Sequence, residues 1–269
     1  MFRPSLGRAL STATGVFISS LALAGTALAQ GIPVQDDPVA RAAPTDIATR
    51  DYMFGRPRGS FAVRGNWLLA SAGSDIYDFF TEQLTLEKTS FNGPTLNFEF
   101  DLALTPRLDV VGGLETSYAS QSSEYRDYVD NNRLPIEQKT TLKQLGIVVS
   151  GKYALMSRGR SVSRFAWVPR TVTPYVGVGG GFLRYELVQE GDFVDFATLN
   201  VFADRFQSMG WAPSVHVLGG ADVRVHRSMY VTAEGRYQWS SADLESDFVD
   251  FEPVDLSGFR FGAGIRFVF

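Results

Sequence analysis

From about residue 58 onward, apolar and polar residues alternate, and this two-residue period limits the fold more than any other feature of the chain. Successive side chains of a β-strand point to opposite faces, so alternation predicts strands with one apolar and one polar face. The clearest case is 95–104, where Phe98 and Phe100 alternate with Glu99 and Asp101. The segments that follow this pattern are 60–70, 95–104, 108–119, 142–154, 174–188, 214–225, 229–240 and 256–269.

The contrast between the two faces favours a membrane barrel over a soluble sandwich or a lipocalin-like barrel. The apolar faces are rich in aromatic residues, while the other faces carry charges deep within the strands, which a packed soluble core rarely tolerates. Lipid offers no hydrogen-bond partners, so strands cross it only as a closed ring. We therefore predict an all-β fold, an eight-stranded antiparallel up-and-down transmembrane β-barrel over residues 58–269. A soluble periplasmic barrel is the alternative.

The connections between these segments alternate in length, as short periplasmic turns and long extracellular loops do in outer-membrane barrels. The short connections are 105–107 and 226–228, and the long ones are about 72–94, 120–139, 189–211 and 241–255. The linker 156–172 is the exception, because it is long where a short turn is expected.

Residues 1–29 have the features of a secretory signal peptide. Arg3 and Arg8 make a basic start, an apolar stretch follows, and Ala27-Leu28-Ala29 forms an A-x-A cleavage site. A membrane-anchoring helix is the alternative, but the apolar stretch is short for a span and is diluted by Ser and Thr. We expect export of the chain, with a flexible periplasmic lead-in at 30–57.

Two glycine-containing strand segments, 174–181 and 219–225, and the C-terminal segment 264–269 carry a family resemblance. With them, the chain resembles the small outer-membrane β-barrel family typified by outer membrane proteins A, X and W, over roughly residues 58–269. The resemblance implies a monomer in the bacterial outer membrane, surrounded by outer-membrane lipid and lipopolysaccharide. The net charge of −4 gives no reason to expect a nucleic-acid partner.

The last residues also resemble the assembly signal of this family. Gly264, Phe267 and Phe269 stand at the expected positions, with aromatic residues last and third from last. Gly262 departs from the pattern, because a polar residue is usual there, and Arg260 is the residue that could substitute. The resemblance implies that the C-terminal strand is read by the barrel-assembly machinery.

The polar faces predict a charged barrel interior. An eight-stranded interior is just wide enough for side chains to fill it, so long ionic side chains would meet and pair across it. The predicted interior charges are Arg64, Glu99, Asp101, Asp109, Glu115, Lys152, Arg184, Glu186, Asp222, Arg224, Glu234, Arg236, Arg260 and Arg266. Acids and bases balance in this set. A plugged, salt-bridged core and a narrow, gated pore with weak ion selectivity are both open interpretations.

One segment, 174–188, is ambiguous about its faces. Either face could be the apolar one, because one face offers Val176, Val178 and Phe182 and the other is equally apolar. A glycine-rich stretch within the segment blurs the two faces further. We place Arg184 and Glu186 inward, because a charge that faces lipid at mid-depth is unfavourable.

Each long loop repeats the pattern Asp, two apolar or aromatic residues, Asp. The repeated aspartates are Asp75, Asp78, Asp127, Asp130, Asp192, Asp195, Asp247 and Asp250. One interpretation is that the aromatic residues cover the barrel mouth while the acids keep its rim soluble. The other is that the rim binds divalent cations shared with lipopolysaccharide phosphates, or a cationic peptide. Residues 75–84 fit a short helix or a hairpin extension.

Charge is segregated between the two kinds of connection. Loop 241–255 carries six acids and no base, whereas the linker 156–172 carries four arginines and no acid. The two ends of the predicted barrel therefore differ in sign.

No catalytic, metal or cofactor site is expected. The chain has no Cys, and its histidines are His216 and His226. His226-Arg227-Ser228 superficially matches the His-x-Ser pair of lipid A deacylases, but it lies in a predicted periplasmic turn, and Gln238 stands where a carboxylate would orient the histidine. The four glycines of the segment 177–181 lie within a predicted strand and make no phosphate loop.

The function that we expect is therefore a non-enzymatic structural or surface-interaction role. A narrow channel or transporter for ions or small hydrophobic molecules is the alternative, and a lipid-modifying enzyme is less favoured.

Overall fold

The computed structural model describes residues 52–130 and 132–269, apart from the side chain of Ser246. The expected signal peptide, 1–29, and most of the lead-in, 30–57, lie outside the described residues. Eight long strands make up most of the described part of the chain. They are β1 (Gly59–Ala70), β2 (Gly93–Ala103), β3 (Leu108–Val129), β4 (Pro135–Ala154), β5 (Val172–Val194), β6 (Val201–Arg224), β7 (Met229–Ala242) and β8 (Gly258–Val268).

Each strand pairs antiparallel with the next along the chain, and β8 returns to pair with β1. The closing ladder runs from Gly258 opposite Ala70 to Val268 opposite Ser60. The backbone N–H of Phe269 extends it by donating to Gly59 O at 2.9 Å. A closed ring leaves no unpaired strand edge, as lipid requires. The predicted antiparallel eight-stranded barrel is confirmed.

The wall of this barrel is apolar outside and polar inside. Outward side chains such as Phe98, Phe100 and Ile147 are between 39% and 50% exposed, whereas Glu99 and Asp101, which alternate with two of them, are at most 2% exposed. A soluble barrel has the reverse arrangement, because its apolar side chains fill the interior. No helix among the described residues is long and apolar enough to cross a membrane.

Two of the predicted long loops are mostly strand. β3 and β4 continue through most of 120–139 and leave 130–134 as their connection, while β5 and β6 leave only 195–200. The loop prediction was wrong there because the apolar alternation fades before the strands end. A strand segment beyond the lipid needs no apolar outer face, so the pattern marks only its membrane part.

The end with the long hairpins, here called the loop end, holds the main apolar core. The first connection there folds into helix α1 (Asp75–Gln83) and a 3-10 helix (Lys88–Phe91), which settles the choice between helix and hairpin in favour of the helix. Ile76 and Phe80 of α1 are buried together with Tyr185 of β5. The last connection adds the 3-10 helix Ser246–Phe248 and a short strand, Val254–Asp255, paired with β7.

The opposite end, here called the turn end, carries the connections 104–107 and 225–228 and the unusual connection 155–171. The unusual connection folds into the strands Gly159–Ser161 and Ala166–Pro169, and Met53–Phe54 pairs with the second of them. We call these three short strands the turn-end sheet. The long linker that the sequence left unexplained is therefore an ordered element.

Candidate functional site

A continuous ion-pair network occupies the middle of the lumen. Glu99 contacts Arg64, lies 2.6 Å from Lys152 Nζ through Oε2, and lies 2.9 Å from Arg236 Nη2 through Oε1. Glu234 contacts the same three bases at 3.2, 2.7 and 3.0 Å. All these side chains are at most 4% exposed. Each base thus lies between two carboxylates, which is how buried charges become tolerable.

The network continues toward the loop end through Arg236 and Arg260. Arg236 Nη1 lies 3.0 Å from Glu115 Oε2. Arg260 donates to the side-chain carbonyls of Gln238 and Gln144, both at 3.0 Å. Here side-chain amides supply the acceptors, so the buried guanidinium is hydrogen-bonded by neutral groups.

A second ionic layer lies at the turn end. Arg266 Nη1 lies 2.8 Å from Asp101 and 3.4 Å from Asp222, and Asp109 forms a two-pronged pair with Arg158 at 2.5 and 2.6 Å. Arg158 comes from the connection that carries the turn-end sheet. Its place in the lumen was not predicted from the sequence, although the basic character of 156–172 was the available clue.

The lumen is packed rather than open between these layers. A cavity beside Glu115 and Arg236 has a volume of about 10 Å³. One water molecule needs roughly 10–15 Å³ on this measure. A larger cavity of about 50 Å³ lies at the turn end, lined by Asp101, Arg266 and Trp167 among others. The cavity beside Glu115 and Arg236 is therefore no larger than about one water molecule.

The apolar core closes the loop end above the network. Tyr185 is fully buried, and its hydroxyl lies 3.0 Å from Ser208 Oγ and donates to Asp243 O at 2.7 Å. Tyr77 of α1 donates to Asp255 O at 2.9 Å. Burial raises the pKa of Tyr77 well above its ordinary value, with Asp255 adding to the shift. Both hydroxyls thus tie the loops to the barrel through hydrogen bonds.

The prediction that Arg184 and Glu186 point inward was wrong. Arg184 is exposed, and Glu186 lies outside as well, with its carboxylate 3.4 Å from Lys143 Nζ. Tyr185 takes the inward position between them. Arg184 of β5 is opposite Trp211 of β6 in the strand ladder, near the loop end of the wall. An outward charge there costs only about 0–1 kcal/mol, less than at mid-depth.

The other predicted lumen residues lie inside the barrel. Arg224 is half-buried near the turn end. The buried ones are Arg64, Glu99, Asp101, Asp109, Glu115, Lys152, Asp222, Glu234, Arg236, Arg260 and Arg266.

Several of the repeated loop aspartates contact other residues of the loop end. Asp75 accepts from the backbone N–H of Glu252 at 3.1 Å, and Asp247 accepts from that of Gln207 at 2.8 Å. Asp78 lies 2.8 Å from Lys88. Asp75 thus joins the first connection to the last, Asp247 joins the last connection to β6, and Asp78 forms an ion pair within the first connection.

Two further aspartates of the repeat close tight turns. Asp130 accepts from the backbone N–H of Leu134 at 2.7 Å, and Asp195 accepts from Thr198 Oγ1 at 2.6 Å. The Thr198 hydroxyl and then the backbone N–H of Ala197 lower the pKa of Asp195.

The remaining repeat aspartates, Asp127, Asp192 and Asp250, are exposed at the surface of the loop end. Within the described ranges, no group of three or more His, Cys, Asp or Glu side chains is arranged to hold a metal ion.

The aromatic residues of the repeats contact each other across the loop end. Ring centroids lie 5.5 Å apart for Phe79 and Phe251, and 5.7 Å apart for Tyr128 and Phe196. These edge-on contacts connect the first loop to the last, and the β3–β4 hairpin to the β5–β6 hairpin. The aromatic residues of the repeat therefore join neighbouring parts of the loop end to one another.

A closed eight-stranded ring, an apolar exterior and an ion-paired interior occur together in this structure. The chain has the fold of a small outer-membrane β-barrel. The family resemblance seen in the sequence is thereby confirmed at the level of the fold, and a transmembrane, porin-like β-barrel describes the architecture.

Comparison with known proteins gives structural likeness only. No family model and no curated protein sequence matches the chain. Neisserial surface protein A is 14% identical, with 78% of this chain and 96% of that chain covered and a TM-score of 0.45. The outer membrane protein OprG from Pseudomonas aeruginosa is 12% identical, with 81% and 99% covered and a TM-score of 0.41. Ail, the attachment invasion locus protein of Yersinia pestis, is 14% identical, with 79% and 100% covered and a TM-score of 0.39.

The C-terminal residues lie where the barrel closes. Phe267 and Phe269 face outward and are 47% and 64% exposed. The Phe269 ring lies 6.2 Å from that of Phe100 on β2. A Cβ on Gly264 would meet Arg64 Cα at 2.6 Å, so the closing ladder needs a glycine there. Their reading by the assembly machinery stays a prediction.

Proposed function

We propose that this chain is an exported, non-enzymatic outer-membrane barrel with a structural and surface-interaction role, whose lumen does not conduct ions. The packed interior is the observation that carries this proposal. Glu99 and Glu234 share their three bases, and the cavity that accompanies this layer has a volume of about 10 Å³. The apolar core at the loop end adds a second closure above it.

Single-channel recording in a planar bilayer tests the closed lumen. We expect no conductance steps from the purified, folded protein at high protein load. Reproducible steps that change in size when Arg236 is replaced by Met would contradict the proposal, because they would place the current in the lumen. Arg205→Gln, an exposed substitution on the loop-end part of β6, is the matched control.

A narrow channel is the second candidate function, and one observation favours it. Lys152 and Arg236 each contact both Glu99 and Glu234, so a small movement of either base would exchange its partner rather than leave a charge unpaired. Such exchange is the kind of rearrangement that a gate requires. The same recording distinguishes the channel from the closed barrel.

We also propose that the loop end faces the medium and that lipopolysaccharide surrounds it. Lys143 and Arg184 are exposed near that end of the wall. Their long side chains can keep the charge at the lipid head groups while the stem covers apolar surface. Anionic phosphates of lipopolysaccharide are suitable partners for such a pair.

The amount of lipopolysaccharide that stays bound to the protein through purification in detergent tests this contact. We expect the double variant Lys143→Gln, Arg184→Gln to retain less than the parent chain. Arg107→Gln, in the turn at the other end, should retain the parental amount. Equal retention in all three proteins would overturn this part of the proposal.

A further inference from the structure

The turn-end sheet is an addition that the barrel does not need for closure. The other two connections at this end span only 104–107 and 225–228, and the ring of eight strands closes without the segment 155–171. An ordered element that barrel closure does not require is a candidate for a separate function. That role rests on the proposed function, which places the turn end in the periplasm.

The turn-end sheet is fixed to the barrel mouth. Arg158, just before the strand Gly159–Ser161, forms the two-pronged pair with Asp109 of β3, whose carboxylate is only 3% exposed. Trp167 of the sheet is 6% exposed and lines the cavity at the turn end. A surface held in this way is preorganised, which lowers the ordering cost of binding a partner.

The strand pairing shows which residues face away from the barrel. Residues paired directly across two strands lie on one face, and neighbours along a strand alternate. Trp167, which faces the barrel, is opposite Met53. Phe54 is opposite Ala166 and Arg160 is opposite Val168, the two neighbours of Trp167. Phe54 and Arg160 therefore lie on the outer face of the sheet, the face opposite to that of Trp167.

This outer side combines exposed aromatic rings with arginines. Phe54 is 87% exposed and makes an edge-on contact with Tyr52, with 5.6 Å between centroids. Phe165, in the turn between the two longer strands of the sheet, is 68% exposed, and the Arg164 guanidinium lies 5.8 Å from the centre of its ring. Arg160 is exposed beside them, and no acid occurs in 156–172. An exposed aromatic and basic surface of this kind marks an interaction site.

We propose that the turn-end sheet docks the barrel on peptidoglycan. Aromatic planes stack on sugar rings, and guanidinium groups form two-pronged hydrogen bonds with carboxylates. Peptidoglycan carries both groups, sugars in its glycan strands and carboxylates on its peptides, and it lies on the periplasmic side of the outer membrane. The segment 156–172 carries four arginines and no acid, so its charge is complementary to those carboxylates.

Co-sedimentation with purified peptidoglycan sacculi tests the proposal on the full chain in detergent. We expect the folded protein to pellet with sacculi and to be released by added salt, since exposed charges are screened. The double variant Arg160→Gln, Arg164→Gln should bind about tenfold or more weakly, because two charge-assisted contacts are lost. Phe54→Ser should also weaken binding. Sacculi whose carboxylates have been converted to amides should no longer pellet the protein.

The control carries the same charge change at the other end, Arg133→Gln with Arg205→Gln, and should pellet like the parent. Heat-modifiable gel mobility of every variant confirms a folded barrel. Equal pelleting of the parent chain and the Arg160, Arg164 variant would overturn the proposal. So would an effect of that variant seen only with phosphatidylglycerol vesicles, which would assign the surface to lipid. Neither result changes the conductance experiment, so the proposed function stands or falls separately.

Discussion

At the scale of single residues, the lumen depends on carboxylates that several bases share. Removing one acid from such a set leaves buried positive charge without compensation, which is more damaging than losing an exposed pair. The contribution of an acid to stability therefore depends on its place in the network. Glu234 and Glu186 illustrate the contrast, since Glu234 is buried inside the barrel and Glu186 lies on the outer wall.

We expect Glu234→Gln to destabilise the barrel by about 3–5 kcal/mol, because Lys152, Arg64 and Arg236 then share one carboxylate fewer. Glu186→Gln makes the same chemical change outside and should cost about 1 kcal/mol or less. Urea unfolding in detergent, followed by gel mobility, gives both free energies. Similar values for the two variants would contradict the network.

Alternation predicts whether a residue faces the lipid or the lumen wherever apolar and charged side chains alternate along the strand. In β2, Phe98 and Glu99 leave no ambiguity. In β5 the glycine-rich segment 177–181 lacks side chains that distinguish the two faces. Arg184 lies near the end of the wall, where an outward charge costs little, so its charge does not fix the face either. Arg158 was missed because its sequence neighbours show no strand pattern.

At the scale of elements, the loop-end core is a separate hydrophobic unit above the charged lumen. Helix α1 is held there by Ile76, Tyr77 and Phe80. Its position follows from burial of apolar side chains and not from helix capping, since Ser74 makes no side-chain cap. Sequence spacing left helix and hairpin open at 75–84, because only the tertiary contacts with the barrel decide between them.

We expect Phe80→Ala to open α1 locally at a cost of about 3–5 kcal/mol, which would lower hydrogen-exchange protection of the helix by about two orders of magnitude or more. Phe80 is fully buried, whereas its neighbour Phe79 is half-buried. Phe79→Ala is therefore the control and should have a smaller effect. Unchanged protection in the Phe80 variant would show that α1 is not held by this core.

The buried phenol of Tyr77 makes the same element sensitive to alkali. Its pKa is raised in the folded state by burial and by Asp255, so the stabilisation is complete below the unfolded pKa of about 10 and is lost as the pH rises above it. We expect protease cleavage in the first loop to increase at high pH, and to increase less in Tyr77→Phe. The same pH profile in both proteins would contradict the assigned burial.

At the scale of the whole molecule, the two ends carry different chemistry. The loop end has the acid-rich connection that includes Asp247 and Asp250, and the turn end has the basic segment around Arg158 and Arg160. The sequence alone indicated this segregation, the number of strands and their order. It did not indicate how far β3 to β6 extend, because strand beyond the lipid lacks the alternation on which the prediction depends.

Heat-modifiable mobility of the protein from native membranes tests the central claim most directly. A closed barrel that spans the outer membrane should be found in the outer-membrane fraction. Without boiling it should run as a compact, fast band in detergent gels, and boiling should slow it, because the closed ring resists detergent until heat opens it. A single unchanged band, with the protein in the soluble periplasmic fraction, would contradict the claim of a closed transmembrane barrel.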